Sequence, residues 1–240
     1  MDSKQAYYEA KRGWYAGISH EPSASPSVIA SMIPEAPPSL RVLDLGCAGG
    51  AVGAVVRSRG HEVCGVEISP GAAEAARKVL NEVHVGDLES GADLPWPKDS
   101  FDALVFADVL EHLVDPPAAV LRFLPYLKPS GIVVISVPNF GFFKIRLRFL
   151  TNRVMYEPSG ILDEGHLRIF NDRLLRKLVA DSGLELDLIR GAGSVWARKL
   201  PFPVGDGALF GFLYGGIERP VKSALRDLLY SQLVARAHRP

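Results

Sequence analysis

Leu40-Arg41-Val42-Leu43-Asp44-Leu45-Gly46-Cys47-Ala48-Gly49-Gly50 is the stretch on which the reading of this chain turns. A short run of leucine and β-branched residues that stops at a glycine cluster reads as a buried strand delivered into a tight turn. Glycines there let the backbone pass close to a ligand without an intervening side chain. Residues 51–59, closed by Gly60, read as a helix. Downstream, strands are expected over 62–68, 82–85, 101–107, 131–137 and 184–189. Helices are expected over 70–80, with Pro70 in the first turn, 116–127, and 171–182 ahead of Gly183. Upstream, prolines at 22, 26, 34, 37 and 38 break up any long helix and leave room for a short one over 27–33. Strands alternating with helices imply βαβ units: an α/β, doubly wound, mostly parallel sheet covered on both faces.

The composition agrees with such a core. With 240 residues, 48% hydrophobic and 22% charged, the chain is not mostly disordered and needs no disulfide or metal staple. Lys and Arg number 27 and Asp and Glu number 27, a formal net charge of zero. A general nucleic-acid binder would carry a basic excess, so a small-molecule partner is expected and nucleic acid is not. Two cysteines, Cys47 and Cys64, cannot build a disulfide framework and suit a reducing compartment as small buried residues. No apolar run approaches the ~20 residues of a transmembrane span. The start, MDSKQAYYEAKRG, lacks the apolar core of a secretory signal. The expectation is a soluble, cytoplasmic protein.

In an open parallel sheet, ligands collect beyond the carboxyl ends of the strands. Glu67 ends the second strand, twenty-one residues past Gly46, a placement that suits a bidentate grip on two ribose hydroxyls. Nicotinamide enzymes also use a glycine turn, but three details point elsewhere. Asp44 precedes the turn, the spacing is not GxGxxG, and a polar Gly86-Asp87-Leu88 follows the third strand. An acid at position 44 would repel a pyrophosphate and suits the amino group of an amino-acid moiety.

With these residues in view, the chain resembles the class I S-adenosylmethionine-dependent methyltransferases. The glycine-loop pattern stands as LDLGCAGG, with Ala48 where a middle glycine is more usual. The resemblance implies a Rossmann-like seven-stranded sheet whose last strand is antiparallel, with inserts after strands five and six. It implies S-adenosylmethionine as cofactor, lying across Asp44, Gly46, Cys47, Ala48, Gly50, Glu67 with Ile68, Asp87 with Leu88, and Ala107 with Asp108. Residues 101–113, FDALVFADVLEHL, look like the family's fourth-strand motif. A narrower likeness, carried by Val137-Pro138-Asn139 and by GILDEGHLRIFN at 160–171, is to bacterial small-molecule and saccharide-cluster methyltransferases and to ubiquinone-pathway O-methyltransferases. Residues 229–236 look like that group's last strand. The organisation expected is one methyltransferase domain over 1–240, with an N-terminal cap at 1–39 and substrate-side inserts at 139–169 and 191–228. Within the cap, Tyr7, Tyr8, Trp14 and Tyr15 either close over the sulfonium, whose charge favours aromatic faces, or staple the segment to the core.

Methyl transfer to oxygen is an in-line displacement, so positioning and removal of one proton are the main tasks. His166, in the insert after the fifth strand, is the candidate base, a side-chain type that accepts a proton near neutrality; the alternative is a brace for the insert. Asp108, Glu111 and His112 are spaced i, i+3, i+4, so a helical turn would give them one face. With His166 they could form a mixed carboxylate–imidazole site for a divalent metal, which the reading admits without favouring. Asp108, His112 and His166 are thus the catalytic candidates. The apolar-basic stretch 142–150 reads as a substrate lid that steers anionic groups, a membrane-surface contact, or an amphipathic connector. Residues 202–216, rich in Gly, Phe, Leu and Tyr, read as an apolar pocket wall or a homodimer contact. The leading expectation is methyl transfer to a hydroxyl or amino group of a small molecule, a sugar or specialised metabolite. Its rivals are metal-assisted RNA-terminal ribose 2′-O-methylation and a non-catalytic, cofactor-binding regulatory module.

Overall fold

The computed structural model describes residues 3–11, 24–90, 93–194 and 225–240. At its centre, β1 (Arg41–Leu45) forms where a strand buried on both faces is demanded: Val42, Leu43 and Leu45 are wholly buried. It pairs in parallel with β2 (Glu62–Glu67) on one side and β4 (Phe101–Ala107) on the other. β3 (Glu82–Val85) extends the sheet beyond β2, and β5 (Leu127–Pro138) extends it beyond β4. β6 (Glu185–Ser194) and β7 (Tyr230–His238) complete seven strands in the order β3-β2-β1-β4-β5-β7-β6. β7 runs antiparallel to both of its neighbours.

Helices cover both faces. On one lie α2 (Ser25–Met32), α3 (Ala51–Ser58) and α4 (Pro70–Ala76), packed through Ile29, Val56 and Ala76 onto Val42, Val63 and Val105. On the other lie α5 (Pro116–Phe123) and α7 (Asp172–Asp181), packed through Val120, Phe123 and Leu175 onto Leu43, Leu104 and Ile135. Alternate residues of one strand therefore feed two separate cores, as a period of two requires. Local chemistry starts these helices. The Ser69 hydroxyl accepts from Ala72 N–H ahead of Pro70, Asp115 caps Ala118 ahead of Pro116, and Asn171 caps Leu174. Two further helices flank the carboxyl ends of the strands: α1 (Ser3–Lys11) and α6 (Phe143–Leu150), the latter inside the first insert.

Several boundaries differ from the sequence reading, and the helix expected over 116–127 ends at Phe123, where a 3-10 turn over Leu124–Tyr126 takes over. α4 stops at Ala76, and residues 77–80 tighten into a turn in which Lys78 N–H returns to Ala75 O and Val79 N–H to Ala76 O. β5 begins at Leu127, before Lys128-Pro129, because a register irregularity opposite Phe101 and Ala103 absorbs the proline. β6 continues to Ser194, so the second insert starts after residue 194 and not at 191. Trp14, Tyr15 and residues 202–216 lie outside the described residues. Among those described, no helix is long and apolar enough to cross a membrane.

Candidate active site

The turn from β1 into α3 is left-handed at Gly46 (φ +79°), Ala48 (φ +46°) and Gly50 (φ +85°). A Cβ at Gly46 would stand 2.6 Å from the Val109 side chain, so glycine is required there by space as well as by φ. Gly46 and Cys47 N–H groups both donate to Val66 O, stitching the turn to β2. Glu67 closes the arrangement: its carboxylate accepts from Ala48 N–H at 2.9 Å and from Ser69 N–H at 2.8 Å. Burial raises the Glu67 pKa against the lowering by those amides, and the Glu9 charge adds to the rise. A carboxylate offers about four lone-pair sites, so both oxygens keep acceptor capacity toward the cavity.

Asp44 is buried, and neither carboxylate oxygen has a hydrogen-bond partner among the described residues. Burial lifts its pKa to about 7; proximity to the Gly53 backbone lowers it somewhat, and the Glu67 charge raises it. One cavity is lined by Asp44, Gly46, Cys47, Ala48, Glu67, Ile68, Asp87, Leu88, Ala107, Asp108, Tyr8 and His112. Gly50 is not on its wall; it caps α3, where a Cβ would strike Val79, and so shapes the turn from behind. The Cys47 thiol is held well above its ordinary pKa by burial and then by the Asp44 and Glu67 charges, which makes it a packing residue and not a nucleophile.

At the other end of the cavity, Asp108 departs from expectation. Its φ of +52° takes it out of the following 3-10 turn, Leu110–His112, so it shares no face with Glu111 and His112. Its amide donates to Ser136 O, and its carboxylate accepts from the Ser136 hydroxyl at 3.1 Å and from the Gln232 amide. The side chain opens onto the cavity, and desolvation by the neighbouring protein raises its pKa.

The tail of the first insert docks here. Leu167 and Arg168 N–H groups both donate to Glu111 O, which brings the His166 ring to 4.7 Å from that of His112. His112 Nδ1 lies 2.9 Å from Gly165 O, and His166 Nδ1 lies 3.1 Å from Ile161 O. A carbonyl oxygen only accepts, so Nδ1 carries hydrogen on both rings and Nε2 is the basic atom of each. His112 faces the cavity; His166 stands behind it, off the cavity wall, with Nε2 at 3.9 Å from Glu111 Oε1. Asp163 braces this turn by accepting from Gly165 N–H at 2.7 Å. Glu111 is buried, with Oε2 unpartnered, and its pKa is driven well up by burial, then by the Asp108 and Asp163 charges. One donor atom each from Glu111, His112 and His166 lies within 4.8 Å of the others.

α1 lies across this region. The Ser69 hydroxyl donates to the Glu9 carboxylate, Gly71 N–H donates to it at 3.1 Å, and the Gln5 amide donates to Ile68 O at 3.2 Å. The Tyr8 ring meets His112 edge-on at 5.9 Å. Glu9, Ser136, Val109, Leu113 and Gln232 are site residues absent from the sequence reading. Val109 and Leu113 fell within the 101–113 motif, Ser136 within the expected strand 131–137 and Gln232 within the 229–236 stretch, but none of these patterns gave them a role.

A methyltransferase-domain family model matches residues 19–189. A ubiquinone biosynthesis O-methyltransferase of Alkalilimnicola ehrlichii is 36% identical over 105 residues, 41% of this chain and 42% of the relative. The aligned region thus spans less than half of that relative's length. A ubiquinone biosynthesis O-methyltransferase of Rickettsia canadensis is 26% identical over 160 residues, 63% of this chain and 65% of the relative. Among solved structures, a methyltransferase of Thermotoga maritima described as a possible histamine N-methyltransferase superposes with a TM-score of 0.63 at 19% identity. That superposition covers 98% of this chain and 96% of the other, a likeness of fold. Because the family model takes in the glycine turn, β4 and the His112–His166 pair within one continuous match, the chain belongs to the class I S-adenosylmethionine-dependent methyltransferases.

Proposed function

We propose that this protein transfers the methyl group of S-adenosylmethionine to a hydroxyl of a small molecule, with His112 taking the hydroxyl proton. The observation that carries this reading is one cavity that holds an unpartnered buried carboxylate, Asp44, at one end and an imidazole, His112, at the other. The residues fit the cofactor. Asp44 would receive its ammonium group, Glu67 the ribose hydroxyls, and Asp87 with Leu88 the adenine. The left-handed turn keeps side chains out of its path. When bound, S-adenosylmethionine supplies an electrophilic methyl on a sulfonium. His112 Nε2 accepts the acceptor's proton as the new carbon–oxygen bond forms, and Gly165 O, bonded to Nδ1–H, steadies the imidazolium that results. His166 and Asp163 position His112 through this turn, a change from the sequence expectation that His166 is itself the base. The relatives named as O-methyltransferases support a hydroxyl over an amine. We place the protein in the cytoplasm, as its composition suggests.

Incubating purified protein with labelled cofactor and a panel of phenolic, sugar and amine acceptors tests this. Turnover is expected with hydroxylated members, and His112→Ala should reduce it ~10²–10⁴-fold with little change in cofactor affinity. Tight cofactor binding without turnover on any acceptor would favour a regulatory module. Full activity in His112→Ala would remove the proposed base.

A second reading rests on Glu111. Its buried, unpartnered oxygen beside two imidazoles whose Nδ1–H groups are held by carbonyls is a donor set that suits a divalent cation. Glu111, His112 and His166 would hold the ion, which would polarise an acceptor hydroxyl. Metal analysis of protein purified without chelator, with loss of turnover on chelation and recovery on adding Mg²⁺ or Zn²⁺, separates the two readings.

A further inference from the structure

Asp108 is the one cavity carboxylate to which the proposed cofactor placement gives no task. Asp44, Glu67, Asp87 and Asp108 all line the cavity, and among the described residues no lysine or arginine does. Asp44, Glu67 and Asp87 are matched there to an ammonium, two hydroxyls and an adenine.

The support of Asp108 comes from three elements. Its backbone is left-handed (φ +52°), a conformation costly to a residue with a Cβ and found most often at functional sites. Its amide is tied to Ser136 O of β5 at 3.0 Å. The Ser136 hydroxyl donates to Oδ1 at 3.1 Å, with Ser25 Oγ of α2 at 3.3 Å behind it. The Gln232 amide of β7 donates to both carboxylate oxygens. Every one of these donors is neutral, and no lysine, arginine or histidine pairs with Asp108 among the described residues. A carboxylate that opens onto a cavity, desolvated by its neighbours and left without a counter-ion, is prepared for a cation.

The strand order tells which cation. The carboxyl ends of β3, β2, β1 and β4 stand side by side in that order. A cofactor with its adenine at Asp87 and its ribose at Glu67 runs along this row toward β4. Val109, which follows Asp108, packs so closely on the glycine turn that a Cβ at Gly46 would lie 2.6 Å from it. Asp108 therefore adjoins the turn where the row ends. With the ammonium group at Asp44, the charged atom left to meet Asp108 is the sulfur.

We propose that Asp108 sorts the two forms of the cofactor by charge, with Gln232 as its positioning residue. It holds the sulfonium of S-adenosylmethionine and not the thioether of S-adenosylhomocysteine. The inference rests on the cofactor placement proposed above. Asp108 faces a cation before transfer and a neutral atom after it, because the sulfur keeps the bonding electron pair when the methyl leaves. The acceptor's proton meanwhile resides on His112. The spent cofactor is then the weaker ligand, so the carboxylate that recruits the methyl donor also favours its exchange.

Calorimetric titration of the full chain near neutral pH, without acceptor, tests this with three ligands. They are S-adenosylmethionine, S-adenosylhomocysteine and sinefungin, whose ammonium group stands where the methyl does. The two cationic ligands are expected to bind at least about tenfold tighter than the thioether. Asp108→Asn keeps the shape and removes the charge. It should bring all three within about threefold by weakening the cationic pair, while thioether affinity holds. Gln232→Leu should lower the preference about threefold, again with thioether affinity unchanged; an unmoved preference would strip Gln232 of its positioning role. A wild type that binds the thioether as tightly as the sulfonium, or tighter, would overturn the proposal whatever the variants do. So would a folded Asp108→Asn that keeps the wild-type preference. If none of the three ligands binds, the cofactor placement itself fails; if all bind without discrimination, the sorting alone does.

Discussion

Asp44 shows how one residue ties stability to function. Its ordinary pKa is 3.8 and its folded value without ligand is about 7, so the folded protein keeps a proton that the unfolded chain gives up. The sign follows. The stability linked to this group is fully present below about pH 4 and is lost as pH rises toward 7, at about 1.4 kcal/mol per pH unit. Asp44→Asn should therefore gain on the wild type by about 3 kcal/mol more at pH 8 than at pH 5, with urea unfolding of the ligand-free proteins as the measurement. A cationic ligand group needs the ionised form. Affinity for S-adenosylhomocysteine should weaken by up to about tenfold for the first unit below pH 7, and calorimetry from pH 6 to 8 checks it. An affinity flat across that range would mean that Asp44 does not face the ammonium group.

Among the elements, α1 is the one whose job is legible only in three dimensions. Glu9 lies at the amino end of α4, where free amides and the helix dipole favour a carboxylate. Its contacts with Ser69 and Gly71 strap α1 over the same turn that carries Glu67. Glu9→Ala should speed cofactor release about threefold to tenfold, since a hydrogen bond to a charged group is worth roughly 1.5–3 kcal/mol and water recovers part of it. Stopped-flow displacement measures this, and an unchanged off-rate would show that α1 does not retain the ligand. The central sheet strands and the glycine turn could be read from sequence because each is a local pattern, such as the buried Val42-Leu43-Asp44-Leu45 run that ends at Gly46. The acceptor end could not. His112 meets Gly165 across fifty-three positions, and Asp108 meets Gln232 across one hundred and twenty-four. The spacing of Asp108, Glu111 and His112 suggested one helical face, but a left-handed residue at 108 and a 3-10 turn broke that period.

At the scale of the whole molecule, the cavity couples the sheet to its ligand. A ligand at one hundred times its dissociation constant stabilises a protein by about 2.7 kcal/mol, which for a chain of this size is roughly 5–10 °C in Tm. S-adenosylhomocysteine should produce that shift in a thermal melt and NAD none; the reverse result would reassign the cavity. The strand order carries a different consequence, one of timing. Among the described strands β6 joins the sheet through β7 alone, and β7 also supplies Gln232 to Asp108 and the backbone carbonyls that anchor Asn139. On a ribosome β6 is made more than thirty residues before β7, the strand it pairs with, and for that interval both it and the flank of β5 lack that partner. A nascent or clipped chain that stops short of residue 230 loses two strands instead of one, and it exposes two sticky borders to whatever chaperone or protease is nearest.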